Sequence, residues 1–209
     1  MTEIVLFIDD EKSSRVMYSA ALQDIYGEEY KVIAIPPDTT IQAMLKTLEQ
    51  HESVISIVID EKLHVEVGTD YKGSQLVEAI RIADSKLPLY ILTSEMGLIE
   101  PPFGSVEYII DKSKIEIEAY QTQLTLLMRR HINSFKEIKT QRDLRFDELL
   151  KKSIEAELTT EEQIEYDELD LLRIRQALAN EPIVSAGELD KRERLLEEIE
   201  NQLKALDQE

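Results

Sequence analysis

Five polar residues in the first part of the sequence have the types that phosphoryl chemistry needs: Asp9 and Asp10, then Asp60, Thr93 and Lys112. Each follows a short apolar run or lies near its end, and in open α/β sheets the working residues gather beyond the carboxyl ends of the strands. Three carboxylates brought together repel one another and raise each other's pKa unless a cation sits among them. Ligation by oxygen alone, with positions left open, suits Mg2+, which keeps several waters and bridges to phosphoryl oxygens. A lysine and a hydroxyl on the far side would hold the remaining oxygens of a transferred group, because phosphoryl transfer is catalysed by positioning and charge neutralisation. Asp60 would then be the nucleophile, forming an acyl phosphate. An Asp-Asp pair alone is usually a turn or a cap; the ordered set of five side chains carries the argument.

The elements that must position these residues are legible as an alternation. Residues 4–8, 30–35, 54–59, 89–92 and 106–110 are β-branched and aliphatic runs that read as buried strands. Between them, residues 13–26, 39–50 and 73–83 carry apolar side chains three and four apart, which places them on one helical face. Strand, helix and strand again builds a parallel sheet covered on both faces. The sequence therefore predicts a doubly wound α/β domain with a five-stranded parallel sheet. Between residues 95 and 105, adjacent prolines Pro101 and Pro102 remove two backbone donors and fix φ, so a short or missing helix is expected there. The run after the second predicted strand is also Pro-Pro and offers no functional group.

Beyond Ile115 no β-rich run occurs. Residues from about 115 to 157 read as one long helix or two abutting ones, with Leu124, Met128, Phe135, Ile138 and Leu149 among its apolar positions. Thr159 with Glu162 three residues on has the form of a capping box that opens a further helix. Ile164, Leu171, Ile174 and Leu178 form its seam. A final helix opened by Ser185 would carry Leu189, Leu196, Ile199, Leu203 and Leu206. The expected organisation is a domain over 1–125 and a helical extension over 126–209, with an antiparallel hairpin or coiled coil at 160–207.

Composition limits the function. The 209 residues carry a formal charge of -19, which repels nucleic acid and anionic membranes, so neither is an expected partner. Without cysteine there is no disulfide framework, no thiolate zinc site and no cysteine nucleophile. The opening residues are too quickly acidic for a signal peptide and no long apolar run could span a bilayer, so a cytoplasmic protein is expected. His51, His64 and His131 are too scattered for a metal set. His131, beside Arg129 and Arg130, invites comparison with a phosphotransfer histidine but reads more simply as a helical surface residue.

The pattern of an acidic pair after the first strand, an aspartate after the third, Thr after the fourth and Lys after the fifth resembles the receiver domains of two-component response regulators. It spans roughly residues 1–125, and Gly73 at the start of the third helix is also similar. The resemblance implies a flavodoxin-like sheet and phosphotransfer from a histidine kinase or phosphotransfer protein to Asp60. It further implies Mg2+ held by Asp10 and Asp60 with help from Asp9, and Thr93 as a switch hydroxyl. Four features depart from it: Ser113 stands where proline usually follows the lysine, the loop from Glu61 to Lys72 is long, Tyr108 lies one residue before the usual switch aromatic, and the Pro101-Pro102 loop stands where a fourth helix is usual. The expected protein is a phosphoacceptor and not an enzyme, apart from self-dephosphorylation. Its output would run through contact of the helices with an unknown effector, with a homodimer through the leucine seams also open. Two alternatives stand beside it: an inert scaffold with this fold, and a phosphatase resembling the haloacid dehalogenases. The last wants Asp-X-Asp, where this chain has Glu11.

Overall fold

The computed structural model describes residues 2–63, 68–96 and 105–180. Its sheet is formed by β1 (Glu3–Ile8), β2 (Tyr30–Ile35), β3 (Val54–Asp60), β4 (Leu89–Thr93) and β5 (Tyr108–Asp111). The spatial order is β2-β1-β3-β4-β5 and every pairing is parallel. β3 is central, and its last six residues are all buried, as a strand covered on both faces must be. The winding direction reverses between β1 and β3. Asp9 and Asp60 leave the sheet at that crevice, where ligands of doubly wound folds bind.

The strand boundaries match the apolar runs except at β5, which starts at Tyr108 where the sequence predicts 106. Glu107 gives the reason. Its carboxylate accepts the Leu89 N–H at 2.5 Å and a paired contact from Arg81 at 2.7 and 2.8 Å, so a side chain takes a donor at the start of the ladder.

Helices α1 (Lys12–Tyr26), α2 (Ile41–Glu49) and α3 (Gly73–Ala83) are the crossovers. Thr40 caps α2, its hydroxyl accepting from Ala43 N at 3.3 Å. Alternation along the strands divides the interior into two layers. Val5, Phe7, Val58, Tyr90 and Leu92 face α1 and the first turns of α4 (Glu118–Glu155), while Leu6, Ile8, Ile57, Ile59 and Ile91 face α2 and α3.

The long helix is continuous over 38 residues, about 57 Å at 1.5 Å per residue. Leu124, Met128 and Ile132 pack in the α1 layer, yet Phe135, one turn further on, belongs to the α2–α3 layer. The helix therefore passes beneath the amino-terminal ends of the strands and closes the underside of the sheet. Lys136 fixes that crossing, pairing with Glu3 of β1 and lying 4.9 Å from the centre of the Tyr30 ring. α4 runs unbroken through residues 125 and 126.

After Ala156 the chain turns into α5 (Thr160–Asn180) through the predicted capping box, with Thr159 N donating to Glu162 at 3.0 Å and Glu162 N to the Thr159 hydroxyl at 3.3 Å. α5 returns along α4. Arg145 holds Glu165 through two bonds of 3.0 and 2.8 Å, Lys152 holds Glu162, and the Phe146 and Tyr166 rings stack at 5.0 Å. Among the described residues α5 thus packs chiefly on α4 and also touches α2. The second limb of the predicted 160–207 hairpin, the Pro101-Pro102 segment and His64 lie outside the described residues. Ile164, Leu171 and Ile174 remain 56, 56 and 43% exposed, so the predicted seam is not what α4 covers.

His131 is not the surface residue its helical setting suggested. It is half-buried, its ring stacks on Tyr90 at 5.9 Å, and its Nδ1 lies 2.9 Å from the Tyr90 hydroxyl, tying α4 to β4. Burial lowers its pKa, and a neutral ring suits that bond.

Candidate phosphoacceptor site

The loop after β1 is set by its own polar groups. Asp9 accepts the Glu11 N–H at 2.9 Å, and Arg15 on the first turns of α1 donates to the carbonyls of Asp9 and Asp10 at 2.6 and 2.7 Å. Those contacts turn both aspartates over the end of the sheet. Asp9 and Asp10 are fully buried, and Asp60 and Thr93 nearly so.

Asp60 leaves the central strand where the chain must bend at once. Gly73, which opens α3, packs against that bend: a Cβ there would overlap the Asp60 carbonyl oxygen and come within 2.9 Å of its carbon. Gly73 N also donates to the Glu61 carbonyl at 3.1 Å, and the Glu61 carboxylate accepts from Ser74 N and its hydroxyl at 2.9 and 3.0 Å. Glycine is needed here for close approach of two backbones.

Lys112 completes the group from the opposite side of the sheet. Its Nζ lies 3.2 Å from Asp9 Oδ2 and 3.0 Å from Asp60 Oδ1, and 5.0 Å from the centre of the Tyr18 ring. It opens a short 3-10 turn, Lys112–Lys114, capped by Asp111. Asp111 accepts from Ser113 N at 3.0 Å and from the Ser113 hydroxyl at 2.6 Å. The first of those bonds is one that proline could not make, so Ser113 replaces one way of shaping this turn with another. The Ser113 hydroxyl, with Lys114 alongside, holds the Asp111 carboxyl below its ordinary value.

Thr93 sits in register with Asp111 at the end of β4, and its hydroxyl accepts from Glu95 N at 3.0 Å. Across the mouth, Lys62 and Glu95 pair at 2.6 Å, joining the segments that follow β3 and β4. All five residues singled out from the sequence therefore meet at one end of the sheet. Sequence reasoning missed Arg15, Tyr18 and Asp111. The signals were present only as an arginine and a tyrosine one turn apart on α1, and an aspartate two residues before a serine.

The electrostatics are those of an anionic pocket lacking a full complement of positive charge. Burial pushes the Asp60 carboxyl up to about 6; Lys112 draws it down and Asp9 adds to the rise. Burial likewise raises Asp9 against the pull of Lys112. Lys112 is itself lowered by burial, but Asp60 and Asp9 outweigh this and raise it, so it is held as the ammonium. Asp9, Asp10 and Asp60 each offer an oxygen within 4.8 Å of the others. Three carboxylates against one ammonium leave a deficit matched by one divalent cation, and an all-oxygen set fits Mg2+ better than softer metals.

No protein-family model matches the chain, and no curated protein sequence does. Solved structures do. NtrX from Brucella abortus in complex with ADP superposes with a TM-score of 0.50 at 17% identity, over 73% of this chain and 33% of that one. This chain thus spans about a third of that protein's length. A sensor protein from Polaromonas sp. JS666 aligns over 65% of this chain and 99% of its own at 15% identity and TM-score 0.47. The response regulator TrrA from Thermotoga maritima in complex with Mg2+ and BeF aligns over 60% and 98% at 16% identity and TM-score 0.46. The amino-terminal part of the chain has the response-regulator receiver fold: a five-stranded parallel sheet of order β2-β1-β3-β4-β5, followed by the long helix.

Proposed function

We propose that this chain is a phosphoacceptor response regulator in which Asp60 takes a phosphoryl group from a phosphohistidine of a histidine kinase or phosphotransfer protein. One observation carries the reading: a lysine held between two buried aspartates, with a third within ligand distance, at the crevice of a receiver fold. A carboxylate oxygen of Asp60 attacks phosphorus while the phosphorus–nitrogen bond breaks, leaving the donor imidazole to take up a proton. Lys112 stands beside Asp60 to hold one phosphoryl oxygen, and the Thr93 hydroxyl, at the end of the neighbouring strand, is the donor for another. Mg2+ bound by Asp9, Asp10 and Asp60 would supply charge neutralisation for the transferred group. Tyr18 and Arg15 position: one keeps the lysine over the site, the other fixes the Asp9-Asp10 turn.

The chain accepts and loses a phosphoryl group and is not otherwise an enzyme. Its output runs through protein contacts of α4 and α5, since a strongly acidic chain is a poor ligand for nucleic acid. Among the described residues no helix is long and apolar enough to cross a membrane. A phosphatase reading loses support at Glu11, whose carboxylate is turned to the Ser14 hydroxyl at 2.8 Å.

Beryllofluoride with Mg2+ imitates the acyl phosphate without hydrolysis and tests the site. Thermal melting of the whole chain should rise modestly with Mg2+ alone and clearly further when beryllofluoride is added with it, while beryllofluoride without Mg2+ should have no effect; Asp60→Asn should abolish the beryllofluoride increment. A native protein indifferent to the pair would remove the proposal.

A further inference from the structure

We infer that the chain has a second ligand site, for a small aliphatic carboxylate, at the end of the sheet opposite Asp60. A cavity of about 340 Å3 lies where the α4–α5 hairpin meets the underside of the receiver fold. That volume falls within the range of small-molecule pockets, roughly 300–1,000 Å3. Its lining is mixed, and the apolar part comes from both units: Leu6, Ile57 and Ile80 from the sheet and α3, Phe135 from α4, Leu169 and Leu172 from α5. Ser53, the one non-glycine residue with positive φ (59°) among the described residues, lies in the loop that forms its edge.

The charged groups around the cavity decide the ligand's class. Glu49, Glu52 and Asp143 are exposed to water. Asp84 is half-buried but already accepts the N–H groups of Lys86 and Leu87 at 2.9 and 3.2 Å. Arg173 is used elsewhere, over the Phe146 ring at 4.1 Å and 3.6 Å from Asp147. Arg142 differs. It lines the cavity, is half-buried, and has no carboxylate or carbonyl partner among the described residues. A guanidinium carries five donors in a planar fork that matches a carboxylate. Arg142 lies half-buried against apolar side chains, and a carboxylate with an aliphatic tail would meet the guanidinium and the apolar wall at once.

This inference stands apart from the phosphoacceptor reading, and its test leaves Asp60 untouched. Octanoate, octanol and octylamine share one tail and differ in head group. Titrated calorimetrically into the full chain, octanoate should bind at one site, about tenfold or more tightly than octanol or octylamine, the margin expected of a charge-assisted pair. Arg142→Gln should erase that preference while keeping weak binding of all three. Leu172→Trp, filling the cavity, should remove octanoate binding with the far-ultraviolet spectrum unchanged; if that variant unfolds, Leu48→Phe is read in the same way. The inference is overturned by a native protein that does not bind octanoate, by equal binding of the three compounds, by a preference that survives Arg142→Gln, or by binding that survives the filled cavity.

Discussion

The two ends of the sheet are built on opposite principles. At the carboxyl ends of the strands, three acids and a lysine are packed out of water, and Asp60 is held ionised only against the pull of burial. At the amino ends, α4 passes beneath the sheet and seats Phe135 in an apolar layer with Leu6, Ile57 and Ile80. The first end trades stability for readiness, as reactive sites do, and the second supplies stability and carries the helices outward. The strands join them. Leu6 and Ile57 lie three positions before Asp9 and Asp60, so the same two strands carry the phosphoacceptor residues at one end and the cavity wall at the other.

Four substitutions or conditions would break or sharpen this contrast. The largest effect on stability belongs to the amino-terminal end: Phe135→Ala should cost about 3–5 kcal/mol in urea unfolding, because a nearly buried ring at the join of two units leaves a cavity. Gly73→Ala should cost about 3 kcal/mol through backbone overlap with Asp60, and should also impair phosphoryl acceptance, which Phe135→Ala at a permissive temperature should not. A Gly73→Ala protein with native stability and acceptance would show that the close approach is not required.

The third concerns pH. Asp60 has a folded pKa of about 6, above its unfolded value. The associated stability is therefore fully present below the unfolded pKa and lost as pH rises through about 6. In chelator, Asp60→Asn should accordingly stabilise the chain by roughly 2–3 kcal/mol at pH 7.5 and by little at pH 4, and Mg2+ should narrow the difference at pH 7.5. Equal stability of the two proteins across that range would mean that Asp60 is not under strain. The smallest effect is between the two ends: Tyr90→Phe should cost about 1 kcal/mol by removing the bond to His131, with acceptance unchanged.

Much of this contrast was legible in the sequence, unevenly. The strands were found because parallel strands buried on both faces are unbroken apolar runs, and the capping box at Thr159 and Glu162 because its two bonds lie three residues apart. The five site residues followed from the ends of the strands. What was hidden depends on contacts distant in sequence. Nothing in the 38-residue helix marks Phe135 as the residue that changes layer, because its helical spacing continues that of Leu124, Met128 and Ile132. His131 reads as a surface residue until β4 brings Tyr90 beneath it. Arg15 and Tyr18 act on the site only because α1 starts directly over it. The late start of β5 comes from Glu107 bonding β4 and α3 by its side chain, which strand propensity does not register.

The central claim is that Asp60 receives the phosphoryl group, and intact mass after incubation with acetyl phosphate and Mg2+ tests it most directly. The native chain should gain the mass of one phosphoryl group, lose it on treatment with hydroxylamine, and gain nothing when Asp60 is replaced by Asn. A native chain that gains no mass, or an Asp60→Asn chain that gains as much, would contradict it.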